Sequence, residues 1–122
     1  MSRYQKNLTR FIETRQKAHD GRRKEIRDIL RSTVEEIVAL FPELSRMLLV
    51  GSAVRGGFSE HSDIDVMIAG IQKRDYFRLH SYLEKKLNGR VDLIMEEDLN
   101  IEQLKHITKD HEVIYDKAKS RF

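Results

Sequence analysis

The spacing of apolar residues changes after Pro42, and this change separates a helical first third from the rest of the chain. Over residues 26–41, apolar side chains recur every three or four positions, which is the stripe of an amphipathic helix that Pro42 should end. A weaker stripe lies upstream and consists of Tyr4, Leu8, Phe11 and Ile12. The polar stretch between the two stripes contains Gly21, and a Gly costs only about 1 kcal/mol inside a helix. The pattern therefore predicts either a separate short helix or the first turns of one long helix.

After Pro42, short strands and helices alternate. Residues 74–87 have helical spacing and are followed by Asn88-Gly89, a common helix stop, and Asn100 is a plausible N-cap for another helix. Short apolar or alternating runs bounded by turn residues predict strands. These runs are 46–50, 64–69, 90–95 and, as a possible last strand, 112–115. The pattern indicates an α/β (α+β) chain without internal repeats or linkers.

The composition limits the class of protein. A chain of 122 residues has room for about one hydrophobic core. Charged residues make up 35% of the sequence, and no apolar run exceeds five residues, so we predict no membrane span. The first residues lack the order of a secretory signal, and we therefore expect a cytoplasmic protein. The absence of cysteine excludes disulfides, thiolate nucleophiles and cysteine-ligated zinc.

The net charge of +3 is unevenly distributed. Residues 1–31 contain ten Lys or Arg and four Asp or Glu, which gives +6 there and leaves −3 for the remainder. Such a segment is a solvated helix face, a surface for a protein partner or a surface for nucleic acid, and charge alone leaves all three open. We divide the chain into a basic N-terminal helical extension, residues 1–25, and a main domain, residues 26–118.

Three aspartates interrupt predicted strands that are otherwise apolar. Asp63 and Asp65 are two residues apart and project from one face of the second strand, and Asp92 lies within the apolar run of the third. Like charges would repel there unless a cation compensates them, and carboxylate oxygens suit Mg²⁺ or Mn²⁺. If these strands pair, the three carboxylates can hold two metal ions, an arrangement that suits an in-line phosphoryl displacement. Asp92 is then the best candidate to take or direct the proton of the hydroxyl that accepts the phosphoryl group.

A possible phosphate cradle follows the first strand directly. Gly51 and Ser52 open a segment that could form one helical turn, where backbone N–H groups and the helix dipole would face a bound phosphate. Arg55 could reach a phosphate oxygen, and Ser62, beside Asp63, is a further nucleotide-binding candidate. Taken alone, a Gly-Ser pair is usually a turn and an Asp-x-Asp a surface loop. Their conjunction with a third acid favours a functional site.

The order Gly51-Ser52, ten residues, Asp63-Ile64-Asp65 resembles the signature of the DNA polymerase beta-like nucleotidyltransferases. The chain looks like the minimal nucleotidyltransferases of this superfamily over about residues 26–116, which include Asp92. The resemblance implies a small mixed sheet flanked by helices and a magnesium-dependent reaction with ATP or another nucleoside triphosphate. It also implies working roles for Gly51, Ser52, Asp63, Asp65 and Asp92.

The same resemblance suggests a partner and an acceptor. Many such proteins resemble antitoxins that silence a small all-helical HEPN-class protein by adding AMP to a tyrosine, and this implies an adenylyltransferase with a protein partner. Two alternatives are a nucleotide-binding antitoxin that acts by contact and an enzyme that modifies RNA ends or a small molecule. The base preference, a nucleic-acid partner and a homo-oligomer stay open.

Overall fold

The computed structural model describes residues 2–56, 58–59 and 61–119, with only the backbone described at 14–16. The elements alternate between helices and strands after a long first helix. In chain order they are α1 (Arg3–Leu40), β1 (Arg46–Val50), α2 (Ser52–Arg55), β2 (Ile64–Ala69), α3 (Tyr76–Leu87), β3 (Val91–Met95), α4 (Ile101–Ile107) and β4 (His111–Asp116), with 3-10 turns at Lys73–Asp75, Glu96–Asp98 and Lys117–Lys119.

Within the described residues, one mixed sheet has the strand order β3-β2-β1-β4. Strand β1 pairs antiparallel with both β2 and β4, and β2 pairs parallel with β3. The parallel pair requires a crossover, which α3 provides. The predicted mixed sheet flanked by helices is confirmed. Two strands begin and end where the sequence predicted, and the other two do so within one residue.

Apolar side chains cover both faces of the sheet. One face packs against α1 and α3 and forms the main core, in which Ile26, Leu30 and Leu83 are fully buried. The other face forms a smaller cluster around Leu48 and Met67, against which α4 packs. Strand β1 is central and buried on both sides, which explains why its sequence is a continuous apolar run rather than an alternating one.

Helix α1 is a single helix of 38 residues, so the long-helix alternative is correct. Its N-terminus has a capping box, in which the Ser2 hydroxyl accepts from the Gln5 N–H at 3.1 Å and the Gln5 side chain accepts from the Ser2 N–H at 2.9 Å. It ends before Pro42, as predicted. The helix passes residue 25 without interruption, and the proposed division at that position stays a prediction.

The predicted helix boundaries follow from local capping chemistry. Helix α3 ends at Asn88, whose backbone is left-handed at φ 50, and Gly89 follows it. Its first predicted turn is a 3-10 turn instead, so the α-helix begins at Tyr76. Asn100 caps α4 by accepting from the Gln103 N–H at 2.8 Å. In the described part of the chain, no helix combines the length and apolar content that crossing a membrane requires.

Candidate active site

The turn between β1 and α2 is built around Gly51. Its backbone has φ 72 and ψ −150, a conformation that L side chains rarely adopt. Its carbonyl accepts the N–H groups of Val54 and Arg55 at 3.0 and 3.1 Å, which closes the single turn of α2. A Cβ at position 51 would lie only 2.4 Å from Oδ2 of Asp65. The Gly-Ser turn therefore lies directly against the first acidic strand, and only glycine fits there.

The pairing of β2 with β3 brings two of the predicted acids together. Asp65 and Asp92 are register partners across the parallel pair, and Val50 lies opposite Asp65 on the other side. Asp65 is partly buried, whereas Asp92 is exposed. Asp63 precedes β2, and its Oδ1 is 3.5 Å from Nε of Arg90, with both side chains largely exposed. The predicted meeting of the second and third strands is confirmed.

The electrostatics of Asp65 show that the acids interact. Burial raises the pKa of its carboxyl, and the carboxylates of Asp92 and then Asp63 raise it further, because each disfavours another negative charge nearby. The guanidinium of Arg55 acts in the opposite direction and lowers this pKa. Asp65 therefore lies among negative charges that Arg55 offsets only in part, and a bound cation would stabilise its ionised form.

The donors at this end of the sheet fit a hard divalent cation by their chemistry, since Asp65 and Asp92 present carboxylate oxygens side by side. Among the described residues, however, no three Asp, Glu, His or Cys side chains converge closely enough to hold one ion. Asp63 instead pairs with Arg90. Joint binding by Asp63, Asp65 and Asp92 thus requires the carboxylate of Asp63 to move towards the other two, and the three-carboxylate site stays a prediction.

The other predicted nucleotide contacts surround this turn. Ser52 is the first residue of α2, and among the described residues no side-chain hydrogen bond caps the N-terminus of this helix at Gly51. Arg55 is its last residue and is exposed. The hydroxyl of Ser62 accepts from the Ser59 N–H at 3.0 Å and lies 3.2 Å from the Ser59 hydroxyl, so it stabilises its own loop. Contacts of Ser52, Arg55 and Ser62 with nucleotide stay predictions.

Two arginines from α1 hold this end of the domain together, which the sequence did not reveal. Arg23 donates from Nε to the carbonyl of Ala53 at 3.0 Å and from Nη2 to that of Val54 at 2.7 Å. Arg22 donates to the carbonyls of Leu87 and Asn88 at the end of α3. Carbonyls at helix C-termini lack intrahelical donors, and these guanidinium groups supply them. In the sequence, both residues were part of an undifferentiated basic segment.

Replacing Arg23 with Gln should loosen α2 and, with it, the Gly-Ser turn. We expect a loss of about 1–3 kcal/mol in stability, because partly buried carbonyls lose charged donors, and weaker binding of ATP. Thermal melts and ATP titrations of Arg23→Gln would measure both effects. Lys24→Gln is the matched control, since Lys24 is exposed. Equal behaviour of the two variants would mean that Arg23 does not support the turn.

A glycine turn against an acid pair, at one end of a small mixed sheet, is the arrangement that the resemblance to the polymerase beta-like nucleotidyltransferases implied. The chain matches the family described as "Polymerase beta, Nucleotidyltransferase" over residues 32–120. This match covers most of the chain, so the protein belongs to that family and is a nucleotidyltransferase. The resemblance inferred from the motif is confirmed.

Known relatives agree with this assignment. A Methanocaldococcus jannaschii protein named as a protein adenylyltransferase is 38% identical over 78 residues, which cover 62% of this chain and 90% of the relative. A toxin-antitoxin structure with AMP-PNP has a TM-score of 0.60 at 18% identity, covering 70% of this chain and 73% of that one. A structure of a tri-AMPylated Shewanella oneidensis HEPN toxin in complex with an MNT antitoxin has a TM-score of 0.55 at 14% identity, covering 76% of this chain and 75% of that one. These two structures show that the fold is shared.

Proposed function

We propose that this nucleotidyltransferase moves AMP from ATP onto a hydroxyl of a protein acceptor. The observation that carries this proposal is the register pairing of Asp65 with Asp92 against the Gly51 turn. It brings the Gly-Ser turn, which we propose as the phosphate cradle, and two carboxylates to one end of the sheet. The name of the Methanocaldococcus jannaschii relative supports adenylyl transfer to protein.

In this proposal, the role of each site residue follows from its position. The turn at Gly51 and Ser52 binds the triphosphate through backbone N–H groups. Asp63, Asp65 and Asp92 hold Mg²⁺, with two ions expected, and the metal neutralises phosphate charge and lowers the pKa of the acceptor hydroxyl when bound. The acceptor oxygen bonds to the α-phosphorus, the bond from that phosphorus to the bridging oxygen breaks, and pyrophosphate leaves. Asp92, the exposed member of the register pair, receives the acceptor's proton.

The acceptor that we propose is a tyrosine hydroxyl of a HEPN-class toxin, for which this chain serves as the antitoxin. The support comes from the shared fold with an MNT antitoxin seen in complex with a tri-AMPylated HEPN toxin. The chain's own basic first quarter is consistent with a macromolecular acceptor.

A second candidate, an antitoxin that binds nucleotide and neutralises its toxin by contact alone, is favoured by one observation. Asp63 pairs with Arg90 instead of converging with Asp65 and Asp92. If Asp63 stays apart from Asp65 and Asp92 when nucleotide binds, the metal set stays incomplete. Binding would then occur without transfer.

Intact-mass spectrometry distinguishes the two candidates. Each member of a panel of purified HEPN-class toxins would be incubated with the chain, Mg²⁺ and each nucleoside triphosphate in turn. We expect a toxin to gain the mass of AMP with ATP, and to gain none with Asp65→Asn or when its modified tyrosine is replaced by Phe. A stable complex without any mass change would support contact alone, and the absence of both would refute the antitoxin role.

Ligand binding should be visible in the stability of the enzyme itself. Mg²⁺ with ATP at a hundredfold excess over the dissociation constant should stabilise the wild type by about 2.7 kcal/mol. The same mixture should stabilise Asp63→Asn far less, because a metal ligand is missing. Thermal melts with ATP alone, Mg²⁺ alone and both together would measure this. Equal stabilisation of wild type and variant would exclude Asp63 from the metal site.

A further inference from the structure

The first part of α1 carries an exposed apolar surface. Tyr4, Leu8, Phe11 and Ile12, which we call the N-terminal stripe, are exposed by 75%, 45%, 61% and 55%. They lie four, three and one residues apart and therefore share one side of the helix. Large apolar side chains grouped in this way on a surface commonly mark an interaction site.

The stripe lies on the same side of α1 as the core. Steps of three or four residues lead from Leu8 and Phe11 through positions 15, 19 and 22 to Ile26 and Leu30, which are fully buried. One uninterrupted helix therefore carries two apolar stretches on the same side, one buried along its second half and one exposed near its start, with polar residues at positions 15, 19 and 22 between them. The segment from Arg3 to Gly21 extends about 28 Å beyond the packed part and overhangs the end of the domain.

The overhang begins at the catalytic end. Arg23 contacts the carbonyls of α2, the helix that follows Gly51, and Arg22 contacts the end of α3. A cavity of about 400 Å³ lies at this corner, and its lining includes Arg22, Phe58 and Arg90. Arg90 also pairs with Asp63. Ile12 lies about 15 Å along the helix from Arg22, so a molecule of protein size held under the stripe would also reach the aspartates.

The charge of the segment indicates what kind of molecule fits. Residues 1–12 contain Arg3, Lys6 and Arg10 and no Asp or Glu, whereas Arg22 and Arg90 at the cavity are paired with Glu25 and Asp63. Two copies of such a helix would repel each other, so the charge disfavours a second copy of this chain. Nucleic acid would satisfy the basic residues through its phosphates but would leave the aliphatic side chains of the stripe without partners.

The shape of the corner disfavours a membrane. The stripe faces the side on which the domain packs against α1, and a flat bilayer that approached this side would meet the domain first. A protein surface with an apolar groove and acidic margins can enter the corner. Its groove would cover the stripe, and its acidic margins would complement the basic side chains of the segment.

We propose that the N-terminal stripe is a docking surface for the acceptor protein, and that it binds an apolar groove flanked by Asp or Glu side chains. This inference rests on the proposed function, since the docked molecule is the protein that receives AMP. Docking here holds the acceptor at the catalytic end, while the chemistry is left to Gly51 and the aspartates. The stripe should therefore contribute to acceptor affinity and not to ATP binding.

The test uses the full chain and the same panel of HEPN-class toxins. In one variant, Leu8, Phe11 and Ile12 are replaced by Gln, which keeps helix propensity and removes the apolar side. The matched control replaces Asn7 and Thr9 by Ala on the other sides of the helix. Biolayer interferometry measures toxin affinity, intact mass measures AMP transfer, and ATP titration reports the catalytic site separately.

We expect the Gln variant to bind toxin at least about tenfold more weakly, because a few central apolar residues dominate such interfaces. Its KM for toxin should rise correspondingly, and its affinity for ATP should be unchanged. The control should match the wild type. Arg3→Glu with Lys6→Glu should also weaken binding, and salt should weaken binding of the wild type in the same way.

The two hypotheses fail separately. Stripe-dependent binding without AMP transfer would contradict the proposed function but not the docking surface. Transfer with unchanged affinity and KM in the Gln variant would overturn the docking surface alone. The docking surface would also be overturned if no toxin bound the wild type, or if the stripe instead mediated dimerisation in sedimentation experiments, binding to phosphatidylglycerol vesicles or binding to RNA.

Discussion

Replacing Asp65 with Asn is expected to lower the rate of nucleotidyl transfer by at least about three orders of magnitude and to leave the fold intact. Asp65 is the acid that lies against the Gly51 turn and faces Asp92 across the strand pair. The substitution keeps the shape of the side chain but removes the charge that would bind a cation. A mass-based transfer assay at saturating ATP would measure the effect, with circular dichroism to confirm folding.

The stability of the same variant separates a catalytic from a structural role. Without metal, Asp65→Asn should raise the melting temperature, because it removes a partly buried negative charge beside Asp92 and Asp63. If Asp65 instead served in a salt bridge, the variant would melt at a lower temperature. Asp110→Asn, at an exposed position, is the control and should change neither activity nor stability appreciably. Near wild-type turnover of Asp65→Asn in Mg²⁺ would exclude this residue from catalysis.

Features that depend on residues close together in the sequence were predictable. The strands followed from runs of apolar residues between turn residues, and Asn88 and Asn100 marked helix ends because their side chains and backbone suit those positions. The approach of Asp65 to Asp92 was also predictable, since each is an acid within an apolar strand. Two such residues are easiest to explain when they lie close enough to share a cation that compensates both charges.

Side-chain contacts between residues far apart in the sequence were not predictable. The spacing of Arg22 and Arg23 does not distinguish them from the other basic residues of α1. Each donates to a backbone carbonyl, and such a contact imposes no repeating pattern on the sequence. The ion pair between Arg90 and Asp63 also depends on tertiary structure. The sequence also did not decide whether α1 continues through Gly21. A glycine disfavours a helix by only about 1 kcal/mol relative to alanine, which tertiary packing can outweigh.

Replacing Gly51 with Ala should damage both stability and catalysis. The left-handed backbone at φ 72 is strained for alanine, which should cost about 1–3 kcal/mol. In addition, the new methyl group would lie 2.4 Å from Oδ2 of Asp65, so either the turn or the carboxylate must move. Because a displacement of about 1 Å can reduce a rate about a hundredfold, we expect at least that loss of transfer activity.

Gly21→Ala provides the matched control, since it makes the same chemical change in the middle of α1. Apart from the adjacent residues and the surrounding helix backbone, no atom lies within 4 Å of the added Cβ there. Because alanine favours a helix, this variant should be more stable by about 0.5–1 kcal/mol and fully active. Thermal melts, ATP titrations and transfer rates of the two variants would be compared. Opposite signs in stability, with activity lost only in Gly51→Ala, would show that the close contact between the turn and Asp65 is required. If Gly51→Ala behaved like Gly21→Ala, the Gly-Ser turn could be neither tight against Asp65 nor the cradle for the triphosphate.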